Sequence, residues 1–562
     1  MSITAKRPWE SVCPEIPLTL SYPDGNMADR VCMQAKERPQ AVALDFMGST
    51  VTYRRLEVNI RSCAAALRAM GVQPGEAVTL ALPNCPQAVA LFYAINAVGA
   101  VANMIHPLSA EQEIVFYLKE ANSRLLFTLD AFCGKVQAIL EDTPLTQVVS
   151  VSIRDALTFP LSVGYALTEG RKIPPLPSHP AFIGWKAFLK AGKGNDRALA
   201  AGRAEDTAVI LYSGGTTGKT KGILLTNRNF NALATQIVAT NPMFRPGDKM
   251  LAAMPVFHGF GLGVCIHSML ASGGRCLLVP RFTPQTLAHI LTKKRPAFIA
   301  GVPTLYEAML RQTSLDKADL SFLKGVFSGG DTLTVELKKK LDAFLLSHRS
   351  PVTVREGYGT TETVTACCLT PPNRAKEGSI GIPFPDTYIK IVKPNTDEEL
   401  PYGEEGEILL AGPTVMQGYL GHPEETVEAL RQHTDGLTWV YTGDLGTMDN
   451  EGYVYFRGRA KRLIVTSGYN VYPNQIENVL DAHPLVQRSC VIGVKDDYRM
   501  QRVKAFVLLK PDAPSPTEAE TILREYCSHH IARYACPREF EFRDELPLTA
   551  IGKVHYRQLE SE

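Results

Sequence analysis

The chain has 562 residues, more than one hydrophobic core usually holds, so at least two domains are expected. Its 45% apolar and 21% charged residues are ordinary for a globular protein, and a net charge of +2 gives no electrostatic reason for a nucleic-acid partner. Twelve cysteines without a CxxC pair, behind a Met1–Arg7 start with no signal-peptide pattern, read as reduced and mostly buried thiols in a cytoplasmic protein, with peripheral membrane contact left open.

Val58, Ile60, Cys63, Leu67 and Met70 recur near helical spacing, which predicts a helix from about Leu56 capped by Gly71. A strand over Ala77–Leu82 follows, ended by Pro83-Asn84-Cys85-Pro86, and then a helix from about Gln87 to Val98 and a strand at Leu125–Thr128. This alternation predicts an α/β fold of layered, largely parallel sheets. The apolar stretch 78–105 is broken by Pro83, Asn84, Pro86 and Asn96, so it reads as buried core and no transmembrane helix is expected. The Pro-rich segment 172–180 reads as a surface connection.

Behind the strand-like Ala208-Val209-Ile210-Leu211 comes Tyr212-Ser213-Gly214-Gly215-Thr216-Thr217-Gly218-Lys219-Thr220-Lys221-Gly222. Glycines let the backbone approach an anion, and amides, hydroxyls and ammonium groups supply its partners, so the run suits a polyphosphate. A Walker A loop is excluded, because only three residues separate Gly214 from Gly218-Lys219-Thr220 and Ser213 stands where glycine is required. A plain surface turn stays open on this segment alone.

Tyr358-Gly359-Thr360-Thr361-Glu362 combines an aromatic ring, hydroxyls and a carboxylate that could stack on a base, contact a phosphate and hold Mg²⁺; it could equally be a turn entering a helix. Asp444 after a tight turn could accept from ribose hydroxyls, and Arg459 could donate to the same nucleotide, although both residue types are usually solvated. Asp449-Asn450-Glu451-Gly452 reads as a turn between strands, and Gly458-Arg459-Ala460-Lys461-Arg462 precedes a fresh series of elements. The domain boundary is placed there, giving residues 1–460 and a small α+β domain over 461–562. His529-His530 has no partner at zinc-ligand spacing, and Lys553 reads alone as an exposed tail lysine.

Together and in this order, the segments resemble the adenylate-forming superfamily of acyl-CoA synthetases, adenylation domains and firefly-type luciferases. The resemblance implies a large layered N-terminal adenylating domain and a smaller mobile α+β C-terminal domain. It also implies that Ser213, Gly215, Thr216, Thr217, Gly218 and Lys221 belong to the phosphate loop, with Gly214 and Thr220 departing from the usual hydroxyl residue and proline. Ser328-Gly329-Gly330-Asp331 and Glu356-Gly357-Tyr358 would bind adenine, Thr361 would contact the α-phosphate, and Glu362 would hold Mg²⁺. Asp444 and Arg459 match the ribose contacts, Lys461 the hinge, and Lys553 the lysine bridging carboxylate and α-phosphate; Gly468 would border the thiol channel. Where some relatives carry a second lysine, this chain has Val465.

The implied activity uses ATP and Mg²⁺ to convert a carboxylic acid into an acyl adenylate, which coenzyme A then turns into a thioester. Amino-acid-activating relatives place an aspartate in the segment matching Pro255–Gly261, whereas this window has no acid to pair a buried ammonium. Its Val-Phe-His-Gly-Phe-Gly pattern is similar to fatty-acid and aryl-acid CoA ligases, with His258 bordering the acyl pocket. Gly301-Val302-Pro303-Thr304 and Gly378-Ser379-Ile380-Gly381 are expected to shape that pocket. A medium- or long-chain fatty acid is favoured; an aryl acid, a separate carrier protein as acceptor, and an inactive ligand-binding relative remain alternatives.

Overall fold

The first predicted helix runs over Tyr53–Ala69, starting three residues early because the Thr52 hydroxyl accepts the Arg55 N–H at 3.2 Å and caps it. Gly71, at φ +77°, turns the chain out of this helix into the strand Ala77–Ala81. The next helix, Pro86–Ala97, opens on proline, whose missing N–H costs nothing in a first turn. Every one of its residues is buried. A helix apolar on all sides has to lie inside the protein, and Asn96 joins this one to its neighbours by donating to Asn227 at 2.7 Å and accepting from the Ala28 N–H at 3.0 Å. The interrupted apolar stretch is therefore core. Among the described residues no helix is long and apolar enough to cross a membrane.

The computed structural model describes residues 7–195, 202–213, 220–466, 469–496, 500–549 and 553–562. Among these, the large N-terminal part contains an eight-strand sheet, a nine-strand sheet and a smaller antiparallel sheet. The eight-strand sheet carries the predicted strands at Ala77–Ala81 and Leu125–Leu129, paired in parallel, and extends through Thr207–Ser213 to the antiparallel Lys221–Thr226. Its apolar side chains share one core with those of the nine-strand sheet, in which Phe92 and Phe230 lie 6.3 Å apart.

The predicted hairpin at Asp449–Gly452 joins Thr438–Met448 to Val454–Arg459. Beyond it, Ile464–Thr466, Tyr469–Val471, Val486–Asp496, Met500–Leu509 and Glu539–Arg543 build a separate small sheet backed by the helices Pro473–Ala482 and Pro516–His530. Ile464, Ile476, Val491, Val507 and Leu523 give this unit an apolar core of its own. The chain is thus α/β, with a large layered N-terminal domain and a smaller α+β C-terminal domain.

Candidate active site

In the nine-strand sheet, Lys249–Ala252, Phe298–Gly301, Gly325–Ser328 and Val354–Tyr358 are successive parallel neighbours. Their carboxyl ends therefore open on one edge, where the loops of a parallel sheet gather ligand-binding groups. The segments leaving these strands carry His258, Pro303, Gly330 with Asp331, and Tyr358 through Glu362, and all of them border one cleft of about 1640 Å³. Lys221, Asp444, Arg459, Lys461 and Lys553 reach the same cleft from other elements.

Asp444 lies opposite Arg459 across an antiparallel pair of strands. Its Oδ2 accepts the Tyr358 hydroxyl at 2.7 Å, and its Oδ1 stands 3.2 Å from Arg459 Nε. That second contact lacks hydrogen-bond geometry, so Oδ1 retains an unused acceptor site. Burial, with Asp444 only 2% exposed, pushes its carboxyl above the usual range against the pull of Arg459. The carboxylate in turn makes the guanidinium hold its proton more tightly. The turn before Asp444 uses Gly443 at φ +68°, whose N–H donates to Glu407 Oε1 at 2.9 Å, while the Asp444 N–H donates to the Thr442 hydroxyl at 3.0 Å. Glu407 escaped the sequence reading, since nothing local ties it to residues 443–444. Glu356 is buried midway along the strand Val354–Tyr358, and desolvation pushes its carboxyl up to about 7 despite Lys338.

Two hydrogen bonds tie Lys553 to Thr549: its N–H donates to Thr549 Oγ1 at 3.1 Å and the Thr549 N–H donates to its carbonyl at 2.7 Å. The side chain points at Gly330, whose φ of +80° calls for glycine and where an added Cβ would lie 3.9 Å from Lys553 Cε. Burial lowers the Lys553 pKa and Asp331 opposes the shift. His258 is near enough to feel the Lys553 charge; burial, then that charge, take the imidazole down to about 3. Its Nδ1 accepts the Phe260 N–H at 3.1 Å, so the neutral ring carries its proton on Nε2 and is a hydrogen-bond donor.

Phe260–His267 forms a π-helix, a local geometry frequent at functional sites that residue patterns do not announce. The glycines expected to leave room for an acyl chain are partly corrected. A Cβ on Gly301 would meet Leu305 at 2.9 Å, and one on Gly381 would meet the Leu369 backbone at 2.1 Å, so these two serve close packing. Pro303, Gly378 and Ile380 do border the cleft.

Thr361–Thr363 form one 3₁₀ turn, followed by Val364 and Thr365 at φ +52° and +83°. Left-handed backbone at two β-branched residues is strained and fixes the turn bearing Thr361 and Glu362. The Tyr419 hydroxyl donates to Glu362 Oε1 at 3.0 Å. Tyr419 is carried there by the short strand Gly418–Tyr419, which pairs with Lys221–Thr226 and also places Lys221 Nζ 5.0 Å from the Tyr419 ring. Glu425 lies 3.6 Å from the same ammonium. Tyr419 and Glu425 were not singled out from sequence because only strand pairing makes them neighbours of the site.

Ser213 stands opposite Lys221 in the hairpin that leads into the glycine-rich run. Gly214, Gly215, Thr216, Thr217 and Gly218 lie outside the described residues, as does Gly468. Lys461 is exposed on the 3₁₀ turn Ala460–Arg462. The arginines on either side are tied to different domains: Arg459 to Asp444, and Arg462 to Glu477 at 2.7 Å and the Val491 carbonyl at 3.1 Å. Among the described residues no three His, Cys, Asp or Glu side chains converge on a metal position. Glu362 alone fits a Mg²⁺ ion completed by phosphate and water oxygens, the way this cation is usually held beside nucleotides.

Residues 32–420 match the AMP-binding enzyme family and residues 475–553 match the AMP-binding enzyme C-terminal domain. A long-chain-fatty-acid–CoA ligase of Bacillus subtilis is 34% identical over 99% of this chain and 98% of its own length. The 4-coumarate–CoA ligase 2 of Oryza sativa is 30% identical over 94% and 91%. The crystal structure of the anthranilate CoA ligase AuaEII in complex with anthranoyl-AMP superimposes with a TM-score of 0.81 at 26% identity, covering 98% of each chain.

Proposed function

The chain belongs to the AMP-binding enzyme family, and from that premise we propose that it is an ATP-dependent acid:CoA ligase acting on a medium- or long-chain fatty acid. The observation that carries the reading is the convergence of Lys553, His258, Glu362 and the Asp444–Arg459 pair on one cleft. The full-length likeness to a bacterial long-chain-fatty-acid–CoA ligase supports the acid class.

A carboxylate is a poor electrophile because its leaving group would be oxide. Attack of its oxygen on the ATP α-phosphorus expels pyrophosphate and leaves an acyl adenylate, whose leaving group is AMP. Two anions meet in that step, so the chain's work is positioning and charge stabilisation. Lys553 brings an ammonium to the meeting point, and the His258 Nε2–H is available to orient the carboxylate. Thr361 contacts the α-phosphate, while Lys221 and the glycine-rich run retain the pyrophosphate. Glu362 would hold a Mg²⁺ ion, which when bound would supply further positive charge against the phosphates. Asp444 accepts from the ribose hydroxyls beside Arg459, and Tyr358 with the 328–331 and 356–357 segments receives adenine. Displacement of AMP by the thiol of coenzyme A then forms the thioester. Lys553 leaves first, by rotation of the C-terminal domain about Lys461.

An aryl acid is the second reading, favoured by the relative named for 4-coumarate. A panel running from acetate through long-chain fatty acids to cinnamates, read as AMP release with and without coenzyme A, tests both. Highest turnover on medium or long alkyl chains, dependent on coenzyme A, is the expected result; preference for cinnamates overturns the acid class. AMP release that needs a holo-carrier protein overturns the acceptor.

A further inference from the structure

Lys553 reaches the acid end of the cleft with the C-terminal domain seated as it is here, and one cation stands among the contacts between the two domains. Arg488 lies on the strand Val486–Asp496, where a register shift between Val486 and Arg488 breaks the ladder with Met500–Leu509. A bulge of this kind re-aims the side chain beside it. Arg488 crosses to the N-terminal domain, its Nη2 3.8 Å from Asp331 Oδ2 and its Nη1 4.0 Å from Glu307 Oε1. Glu307 belongs to the helix Pro303–Leu310 and Asp331 to the segment after Gly325–Ser328, and both acceptors border the cleft. The guanidinium side chain is only 14% exposed.

Two further features fit a docking role. Asn474 Nδ2 donates to Thr332 Oγ1 at 3.2 Å, so the same face has a neutral contact to set its register. Asp481, which accepts the Ser489 hydroxyl at 2.7 Å, adds a half-buried carboxyl that feels the Arg488 charge, and Glu477 is already paired with Arg462. Glu307 is shared with Arg311 of its own helix, 3.3 Å away, so Arg488 is the cation that the C-terminal domain adds to the carboxyls at this seam. Asp331 also acts on Lys553, which links the seam to the reacting end of the cleft.

We propose that Arg488 is a positioning residue for the adenylation half-reaction: its attraction to Asp331 and Glu307 holds the C-terminal domain where Lys553 meets the carboxylate and α-phosphate. The assignment of half-reactions rests on the ligase reading above. At 3.8 and 4.0 Å these are ion pairs without hydrogen-bond geometry, so the attraction is electrostatic and weakens as salt rises. Both pairs separate when the domain rotates, so they favour the first step over the second.

The test uses the full chain with Arg488→Ala, Arg488→Lys and Arg488→Glu. Carboxylate-dependent pyrophosphate exchange should fall about tenfold in Arg488→Ala, with thioester formation from supplied acyl adenylate unchanged. The lysine variant should recover part of the exchange, Arg488→Glu, which sets like charge against Asp331 and Glu307, should lower it further than Arg488→Ala, and salt should inhibit exchange less steeply in Arg488→Ala than in wild type. Loss of both half-reactions together, or unaltered exchange, overturns the proposal. A second measurement needs no turnover: the distance between spectroscopic labels on the two domains, read without substrate, should be short in wild type and longer in Arg488→Ala. An unchanged distance overturns the proposal even if the ligase reading stands. A lengthened distance in a protein without exchange activity supports the docking role and refutes the ligase reading separately.

Discussion

Replacing Lys553 by alanine separates the two half-reactions. The ammonium lies within range of His258, Asp331 and Asp444 in a cleft that desolvates it, so its charge is poorly screened there. Removing one preorganised donor aimed at developing charge costs about 3 kcal/mol, or roughly a hundredfold in rate. Lys553→Ala should therefore lower pyrophosphate exchange by at least about a hundredfold. Displacement of AMP from supplied acyl adenylate by coenzyme A should stay within about threefold of wild type, because no second anion then has to be neutralised. The same burial gives the wild type a pH signature. Its ammonium titrates below the ordinary lysine value of 10.5, so exchange should fall as pH rises toward that value, and the thioester step should lack this alkaline limb. Equal loss of both steps on Lys553→Ala, or an alkaline limb shared by both, would refute the assignment.

Asp444→Asn keeps the shape but removes the charge that Tyr358 and Arg459 face, leaving the guanidinium uncompensated; ATP affinity measured by calorimetry should fall about thirtyfold, and unchanged affinity would count against a ribose contact. Glu356 supplies a stability test. Its folded-state value of about 7 lies above the ordinary 4.5, so the folded chain holds the extra proton between them. Stability from this group is full below 4.5, declines as pH rises through that window, and is level above about 7, a span worth about 3 kcal/mol. In denaturant titrations Glu356→Gln should lose less stability than wild type between about pH 5 and about pH 8, and parallel pH profiles would show that Glu356 titrates normally.

Local order in this protein was legible from residues wherever one short segment decides its own conformation. Gly71 ends a helix through the left-handed turn expected of it, although the Thr52 cap that starts this helix three residues early was passed over, and the broken apolar run around Pro86–Ala97 announced buried core. The order of glycine, threonine, aspartate and lysine motifs likewise identified the family, since each motif is contiguous in the chain. Residues whose role depends on pairing between distant segments were not readable. Glu407 reaches the Asp444 turn across a strand ladder, Tyr419 reaches Glu362 through an edge strand, and Arg488 meets Asp331 across a domain seam. Composition and periodicity record what a residue prefers over a few neighbours, whereas these contacts exist only once sheets pair in register and domains dock. The protonation of His258 belongs to the same class: an imidazole becomes a fixed neutral donor only when packing strips its water and a backbone amide claims Nδ1. The sequence determined the two-domain α/β plan and the family chemistry. Tertiary structure alone decided which side chains orient that chemistry, because long-range packing sets burial and distance.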